Sequence, residues 1–172
     1  MNNFKFIKNM KKLVLLSLFM VAMATAAFAQ PRAIGARLGG GLEVSYQHLL
    51  GEENMISAEL GLPITIEGGF GLSAAATYDW LNPGGHMIPW EHKGSWNWYA
   101  GVGASAGFYG FNNIAGFGGV AGRIGVEYNF WFPLQLSLDY RPVVGICGAN
   151  GHVDINYNGF YGIALGVRYV FE

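Results

Sequence analysis

Cysteine and charge are the two things that this sequence has least of. The 172 residues include one cysteine, Cys147, so the chain cannot close an internal disulfide. Charged residues make up 12% of the chain, about half the fraction of ordinary soluble domains. Beyond residue 29, no uninterrupted apolar run approaches the roughly 18 residues that a transmembrane helix needs. These absences exclude a disulfide-stapled secreted domain and, beyond residue 29, a membrane-spanning helix.

The N-terminal segment has the pattern of a secretory signal peptide. Four lysines precede an apolar run over residues 13–27, and Ala27-Phe28-Ala29 supplies a small-x-small cleavage site. An N-terminal membrane anchor is disfavoured, because the apolar run is short and ends in that cleavage site. A lipoprotein is excluded, because the only cysteine lies far from this point. We therefore predict that residues 1–29 are a cleaved signal peptide and that residues 30–172 form the mature domain.

The predicted mature domain is acidic. Six Lys and Arg and eleven Asp and Glu remain after residue 29, which gives a net charge of −5 at neutral pH. Nucleic-acid binding requires clustered basic side chains that neutralise phosphates. The charge balance therefore argues against a nucleic-acid partner.

The stretch from Trp96 to Phe108 has the clearest secondary-structure pattern. Its even positions are Trp, Trp, Ala, Val, Ala, Ala and Phe, and its odd positions are Asn, Tyr, Gly, Gly, Ser and Gly. Strict alternation predicts a β-strand, because successive side chains of a strand point to opposite faces. The 13 residues suit a strand that crosses a membrane at a tilt, with aromatic residues at both ends of its apolar face.

Six further segments alternate with the same period. They cover residues 34–47, 56–67, 70–80, 120–130, 134–141 and 161–171, separated by turns or by the longer loops 82–95 and 145–158. In the first segment, Gly39-Gly40-Gly41 fits either a tight hairpin or a kink within one bent strand. In the second, Pro63 predicts a bulge. Bacterial single-chain barrels have even strand numbers, so parity favours the hairpin and a total of eight strands.

Two kinds of barrel fit this pattern, and they differ in which face lies outside. A soluble barrel would turn its apolar face inward and expose an outer face mostly of Gly, Ala, Ser and Thr, which is too poor in charge for solubility. A membrane barrel turns the apolar face toward lipid, and the small residues then fit a narrow lumen. The predicted fold is therefore an all-β, transmembrane, antiparallel up-and-down barrel of eight strands.

Several segments resemble the small outer-membrane β-barrel proteins of Gram-negative bacteria, the OmpX- and OmpW-like group in its broad sense. The resemblance rests on the signal peptide and on residues 125–130 (GVEYNF), 134–142 (LQLSLDYRP) and 168–171 (RYVF). Phe171 resembles the terminal aromatic that the barrel-assembly machinery reads, although Glu172 follows it here. The resemblance covers the predicted mature chain. It implies an outer-membrane location, insertion by that machinery, and contact with lipid and lipopolysaccharide.

The polar faces of the predicted strands collect charged side chains that would line the lumen. An eight-stranded barrel is just wide enough for side chains to fill it, and unpaired buried charge is costly. A packed set of Arg–carboxylate pairs is therefore favoured over an ion path. The predicted lumen network comprises Arg37, Glu43, Glu59, Asp79, Arg123, Glu127, Asp139, Arg141 and Arg168, with Glu67 on the same face. The predicted lipid-facing aromatic girdle comprises Trp80, Trp96, Trp98, Phe108, Tyr128, Phe130, Tyr140, Tyr161, Tyr169 and Phe171.

The sequence gives little support to a metal or catalytic site. His86 and His92 flank Glu91 in one loop, but this spacing in a Gly- and Pro-rich loop matches no metal-ligand motif. The serines of the lumen faces have no histidine at a spacing that argues for a pair, since His48 falls on the lipid face or in a turn. Cys147 is placed in a loop and interpreted as an inert thiol. We predict no catalytic residue, metal or cofactor.

The leading hypothesis is a monomeric, non-enzymatic outer-membrane barrel with a structural or surface-interaction role. Loops held by a rigid barrel are common binding surfaces. The loop residues that could contact a partner or lipopolysaccharide are Pro89, Trp90, His92, Asn150, Asp154, Asn156 and Tyr157. Two alternatives remain open: a narrow channel or transporter for small apolar molecules, and a lipid-modifying outer-membrane enzyme.

Overall fold

A computed structural model of the protein describes residues 32–63, 70–85, 93–110, 114–149, 152–157 and 162–171. None of these residues forms a helix long and apolar enough to cross a membrane. Several features of the sequence lie outside the described residues: the predicted signal peptide, Glu67, His86, Pro89, Trp90, Glu91, His92, Asn150, Tyr161 and Glu172.

The described residues form ten β-segments with short connections. These are β1 (Arg32–Leu38), β2 (Gly41–Leu49), β3 (Asn54–Pro63), β4 (Phe70–Leu81), β5 (Gly94–Gly110), β6 (Ala115–Phe130), β7 (Leu134–Tyr140), β8 (Val143–Ala149), β9 (His152–Tyr157) and β10 (Ile163–Phe171). Only Gly39 and Gly40 separate β1 from β2, which pair antiparallel from Arg32–His48 to Leu38–Leu42. The first glycine-rich segment is therefore a hairpin, as parity predicts.

The segments close into an antiparallel barrel of eight strands. β1 pairs with β2 on one side and with β10 on the other. The remaining neighbours are β2–β3, β3–β4, β4–β5, β5–β6, β6–β7 and β7–β10. The predicted all-β, eight-stranded antiparallel barrel is confirmed.

Ten segments make eight barrel strands because the last two strands are each divided. β7 and β8 pair with β6 in one continuous register, from Asn129–Gln135 to Gly116–Gly148. The division falls at Arg141 and Pro142, where Pro142 has no backbone N–H to donate and its carbonyl accepts the N–H of Gly122 at 2.9 Å. β9 pairs with β8, and β10 pairs with β7.

Three predictions from the sequence are wrong in detail. The predicted loop over residues 145–158 is largely the β8–β9 hairpin, so Cys147, Asp154, Asn156 and Tyr157 lie in strands. The period-two pattern is there, but glycine and asparagine dilute it. Pro63 causes no bulge, because β3 pairs without a register shift and Pro63 is its last residue. β6 begins at Ala115, five residues before the predicted segment.

The two faces of the barrel wall differ sharply in burial. Along β10 the exposed fraction is 60% for Leu165 and 1% for Arg168. Large apolar side chains on the other strands are likewise exposed on the outside, while Arg, Asp, Glu, Ser and Gln are buried inside. The described barrel is therefore apolar outside and polar inside, which is the reverse of a soluble barrel.

Glycines on the inner face let neighbouring strands approach closely. A Cβ atom on Gly103 would overlap the backbone of Ala76 and Thr77 on β4, and one on Gly119 would overlap that of Val144 on β8. A narrow barrel curves strongly, so inward Cβ atoms compete for space with the adjacent backbone. This packing accounts for the small residues at alternate positions.

Candidate functional site

The most distinctive feature of the interior is a closed ring of six charged side chains, called the charge ring below. It alternates arginine and carboxylate around the barrel. Its members, in order of contact, are Arg37, Glu43, Arg141, Glu59, Arg123 and Asp139. They come from β1, β2, β3, β6, β7 and the junction that follows β7. The ring therefore ties together strands that are far apart in sequence.

Each contact in the charge ring is short. Arg37 Nη1 lies 2.7 Å from Glu43 Oε2, and Arg141 Nη2 lies 2.6 Å from Glu43 Oε1. Arg141 Nη1 and Arg123 Nη1 lie 3.1 Å and 2.9 Å from the two oxygens of Glu59.

Asp139 closes the circle. Its Oδ2 lies 3.3 Å from Arg123 Nη2, and its Oδ1 lies 2.6 Å from Arg37 Nη2. Arg37 donates a second hydrogen bond to the same oxygen through Nε, at 2.9 Å, and its Nη2 also donates to the carbonyl of Gly162. Side-chain exposure is at most 11% for every member. Because an eight-stranded barrel is only wide enough for side chains to fill, the ring occupies the cross-section at its level.

Asp79 of β4 is attached to the ring as a fourth carboxylate. Its Oδ2 accepts hydrogen bonds from Ser57 at 2.7 Å and Thr77 at 3.0 Å, and lies 3.5 Å from Arg123 Nη1. Two hydroxyl donors thus supplement a long ionic contact. Arg123 therefore contacts three carboxylates, more than any other arginine contacts among the residues that the structure describes.

Tyr99 of β5 belongs to the same site, although the alternation of the sequence indicates only that it shares a strand face with Asn97 and Ser105. It is fully buried, the guanidinium of Arg123 stacks over its ring at 5.2 Å, and its hydroxyl donates to Asp139 at 3.4 Å. The aromatic ring of Tyr99 also packs with Met55 and Leu81 in an apolar cluster inside the barrel. The sequence does distinguish Tyr99, because it is the one large side chain at the odd positions between 97 and 107, which otherwise carry Gly, Ser and Asn.

The two remaining predicted charges, Arg168 and Glu127, lie outside the charge ring and have neutral partners. Arg168 donates to Ser45 at 2.9 Å, Ser137 at 2.7 Å and Gln135 at 3.2 Å. Gln135 in turn donates to Glu127 at 3.1 Å, so the side-chain amide of Gln135 bridges Arg168 and Glu127 by hydrogen bonds.

Asn97 and Asn129 also donate to Glu127, at 3.2 Å and 3.3 Å. All nine predicted members of the lumen network are therefore buried inside the barrel. The structure divides them into the six-membered ring, Asp79 attached to it, and the Arg168–Glu127 pair bridged by an amide.

Four inward-facing serines that the structure describes make hydrogen bonds, and none of these bonds is to a histidine. Ser57 donates to Asp79, Ser73 to the carbonyl of Gly61 and Ser105 to that of Ala74, while Ser137 accepts from Arg168. His48 lies on the outer face of β2 and stacks on Tyr46, with ring centroids 6.3 Å apart. The serines and His48 are therefore on opposite sides of the wall. In the described part of the chain no group of three or more His, Cys, Asp or Glu could hold a metal ion.

The predicted aromatic residues lie on the outer face of the barrel wherever the structure describes them. Trp96, Tyr128, Phe130, Tyr169 and Phe171 lie toward the end where β1 begins and β10 ends. Trp80 and Trp98 belong to the same end, Phe108 to the opposite end, and Tyr140 to the middle of the wall, next to the β7–β8 division. Trp131 and Phe132, which are not among the predicted girdle residues, are exposed in the β6–β7 turn. The sequence indicates them by three consecutive aromatic residues, Phe130, Trp131 and Phe132, at which the alternation of the strand stops.

No family model, curated protein or solved structure matches this chain. The chemical capacity of the site follows from its contacts alone. Carboxylates and guanidinium groups that pair with one another inside the barrel can hold the wall together and occlude the lumen.

Proposed function

We propose that the protein is an integral outer-membrane barrel whose lumen is closed by the charge ring, with a structural or surface-interaction role and no catalysis. The observation that carries the proposal is the inverted wall: apolar side chains surround the outside while the charges are paired within. Its finer attribution, to the OmpX- and OmpW-like group in the broad sense, rests on the sequence resemblance. Export through a cleaved signal peptide and assembly as a monomer by the barrel machinery are parts of the same proposal.

The exposed apolar surface supports the membrane part of the proposal. Val44, Val120, Ile146 and Leu165, on four different strands, are each exposed by 54% or more. A soluble monomer rarely exposes a contiguous apolar patch larger than a few hundred Å², whereas a transmembrane barrel requires an apolar band about 25 Å tall. Closure also removes the strand edges that lipid cannot solvate.

Membrane insertion is tested by fractionation and electrophoresis. The protein should sediment with membranes, resist extraction by alkaline carbonate, dissolve in detergent and migrate faster on a gel when unheated. Extraction by plain buffer would refute the membrane assignment. Incubation with phospholipid and lipopolysaccharide should release no fatty acid and transfer no acyl chain, and turnover of either lipid would refute the non-catalytic assignment.

Occlusion of the lumen is tested in planar bilayers. The wild-type protein should give no stable open channel, because the ring fills the cross-section. Substituting Glu43→Ala and Arg141→Ala together removes two adjacent ring members and should produce small, reproducible current steps. Val120→Ala, on the outer face, is the matched control and should remain silent. Stable conductance by the wild type would refute occlusion and favour the narrow-channel alternative.

A further inference from the structure

A continuous patch of aromatic rings covers one side of the barrel at the end that carries β1's start and β10's finish. The aromatic patch consists of Trp96, Tyr128, Phe130, Trp131 and Phe132. Successive ring centroids lie 4.9 Å, 4.7 Å and 6.0 Å apart from Trp96 to Trp131, and Phe132 lies 5.0 Å from Phe130 and 5.1 Å from Trp131. Trp131 and Phe132 remain 65% and 42% exposed, so the patch ends in rings that no described part of the chain covers.

Among the described residues, Lys93 is the cation that lies beside these rings. Lys93 Nζ lies 5.8 Å from the centroid of Trp131, and the Lys93 carbonyl accepts a hydrogen bond from the Tyr128 hydroxyl at 3.5 Å. Lys93 has φ of 62°, a left-handed conformation that is unusual outside glycine. Lys93, directly before β5, therefore contacts the patch through both its ammonium group and its carbonyl.

The distribution of charge makes Lys93 unusual. Of the six basic residues beyond residue 29, the four arginines of the lumen network are buried inside the barrel. The other two, Arg32 and Lys93, lie at the same end of the wall. In the strand order, the β2–β3 turn with Glu52 and Glu53 lies diametrically opposite the β6–β7 turn. Among the described residues, Lys93 and the aromatic patch therefore lie on the side of this end opposite to Glu52 and Glu53.

We propose that Lys93 and the aromatic patch form a binding site for the phosphate headgroup of a phospholipid. The inference rests on the proposed membrane-spanning function and deepens it by naming the lipid class and the residues. Amphipathic tryptophan and tyrosine rings favour the headgroup level of a bilayer, and a basic side chain there attracts lipid phosphate. The patch continues the apolar outer face of β5 and β6, so a lipid whose acyl chains lie along that face places its phosphate beside Lys93.

The test is a lipid titration of the detergent-solubilised full-length protein by native mass spectrometry, with phosphatidylglycerol as the probe. The Lys93→Gln variant should bind phosphatidylglycerol about fivefold more weakly, the effect expected for one basic residue at an anionic surface. Lys93→Arg should retain the wild-type affinity, and Trp131→Ala should weaken it. Arg32→Gln removes the other external cation at the same end and is the matched control, so it should leave the affinity unchanged.

The outcomes separate this site from the proposed function. Each variant is first shown to fold by its heat-modifiable mobility and to float with phosphatidylcholine vesicles. A wild-type protein that fails to float refutes the membrane assignment itself. If it floats but Lys93→Gln and Trp131→Ala bind phosphatidylglycerol like the wild type, or if Arg32→Gln weakens binding equally, the headgroup site is refuted and only diffuse attraction remains.

Discussion

Removing Arg123 is the most severe single change that the charge ring allows. The Arg123→Met variant keeps the length of the side chain but removes the cation that faces Glu59 at 2.9 Å, Asp139 at 3.3 Å and Asp79 at 3.5 Å. All four side chains are at most 1% exposed, so water cannot replace the lost contacts. Breaking one buried ion pair costs about 3–5 kcal/mol. We therefore expect the free energy of unfolding to fall by at least about 3 kcal/mol, out of the roughly 5–15 kcal/mol typical of a folded protein.

The loss is measured by urea unfolding in phospholipid vesicles, followed by tryptophan fluorescence and extrapolated to zero denaturant. Val102→Ala, on the exposed outer face of β5, is the control and should change stability by less than about 1 kcal/mol. Adding Asp79→Asn to Arg123→Met should recover part of the loss, because Asp79 loses its one cationic partner among the described residues, whereas Glu59 keeps Arg141 and Asp139 keeps Arg37. A loss below about 1 kcal/mol in the single variant, or no recovery in the double variant, would refute a ring held by buried ion pairs.

Three further changes test the interior at single positions by the same unfolding assay. Gly103→Val should prevent folding, because a Cβ atom at this position overlaps the β4 backbone. Ala104→Val, on the outer face, should fold normally. Equal folded yields of the two variants on heat-modifiable gels would contradict this prediction. Tyr99→Phe loses one long hydrogen bond to Asp139, so the free energy of unfolding should fall by about 1 kcal/mol. A fall of more than about 3 kcal/mol would show that the hydroxyl contributes more than this one hydrogen bond. Gln47 is fully buried with no hydrogen-bond partner for either amide atom among the described residues, so Gln47→Leu should leave stability unchanged or raise it, and a clear loss would reveal a hidden partner.

The strand pattern and the two faces of the wall were predictable because a period of two is a local property. Alternation separated Ile34, Val44 and Leu138 from Arg37, Glu43 and Asp139 without any knowledge of the pairing, and the structure exposes the first set and buries the second. The hairpin at Gly39 and Gly40 followed from parity, a property of the closed barrel. The β8–β9 hairpin escaped the same logic, because its few apolar residues are separated by glycine, cysteine and asparagine.

The partners within the interior were not predictable, because they depend on how the barrel closes. Arg37 and Asp139 are 102 positions apart in the chain, and Arg141 and Glu43 are 98 apart. Strand tilt and stagger decide which inward side chains reach the same level, and neither can be obtained from alternation. Tyr99 shows the same limit: its position on the inner face was evident, but its stacking on Arg123 was not.

The charge ring also bears on how such a barrel obtains a unique closed state. In lipid, apolar side chains gain little from contact with one another, since the surrounding acyl chains are equally apolar. In the proposed membrane location, the outward face of this wall therefore does little to select one strand arrangement, and the selection falls to the backbone pairing and to the polar interior. Each ring contact joins residues that meet only when their strands are in register, and Arg37–Asp139 spans the β1–β10–β7 closure. We infer that the ring completes only as the barrel closes, so its loss should destabilise the closed barrel far more than its separate hairpins.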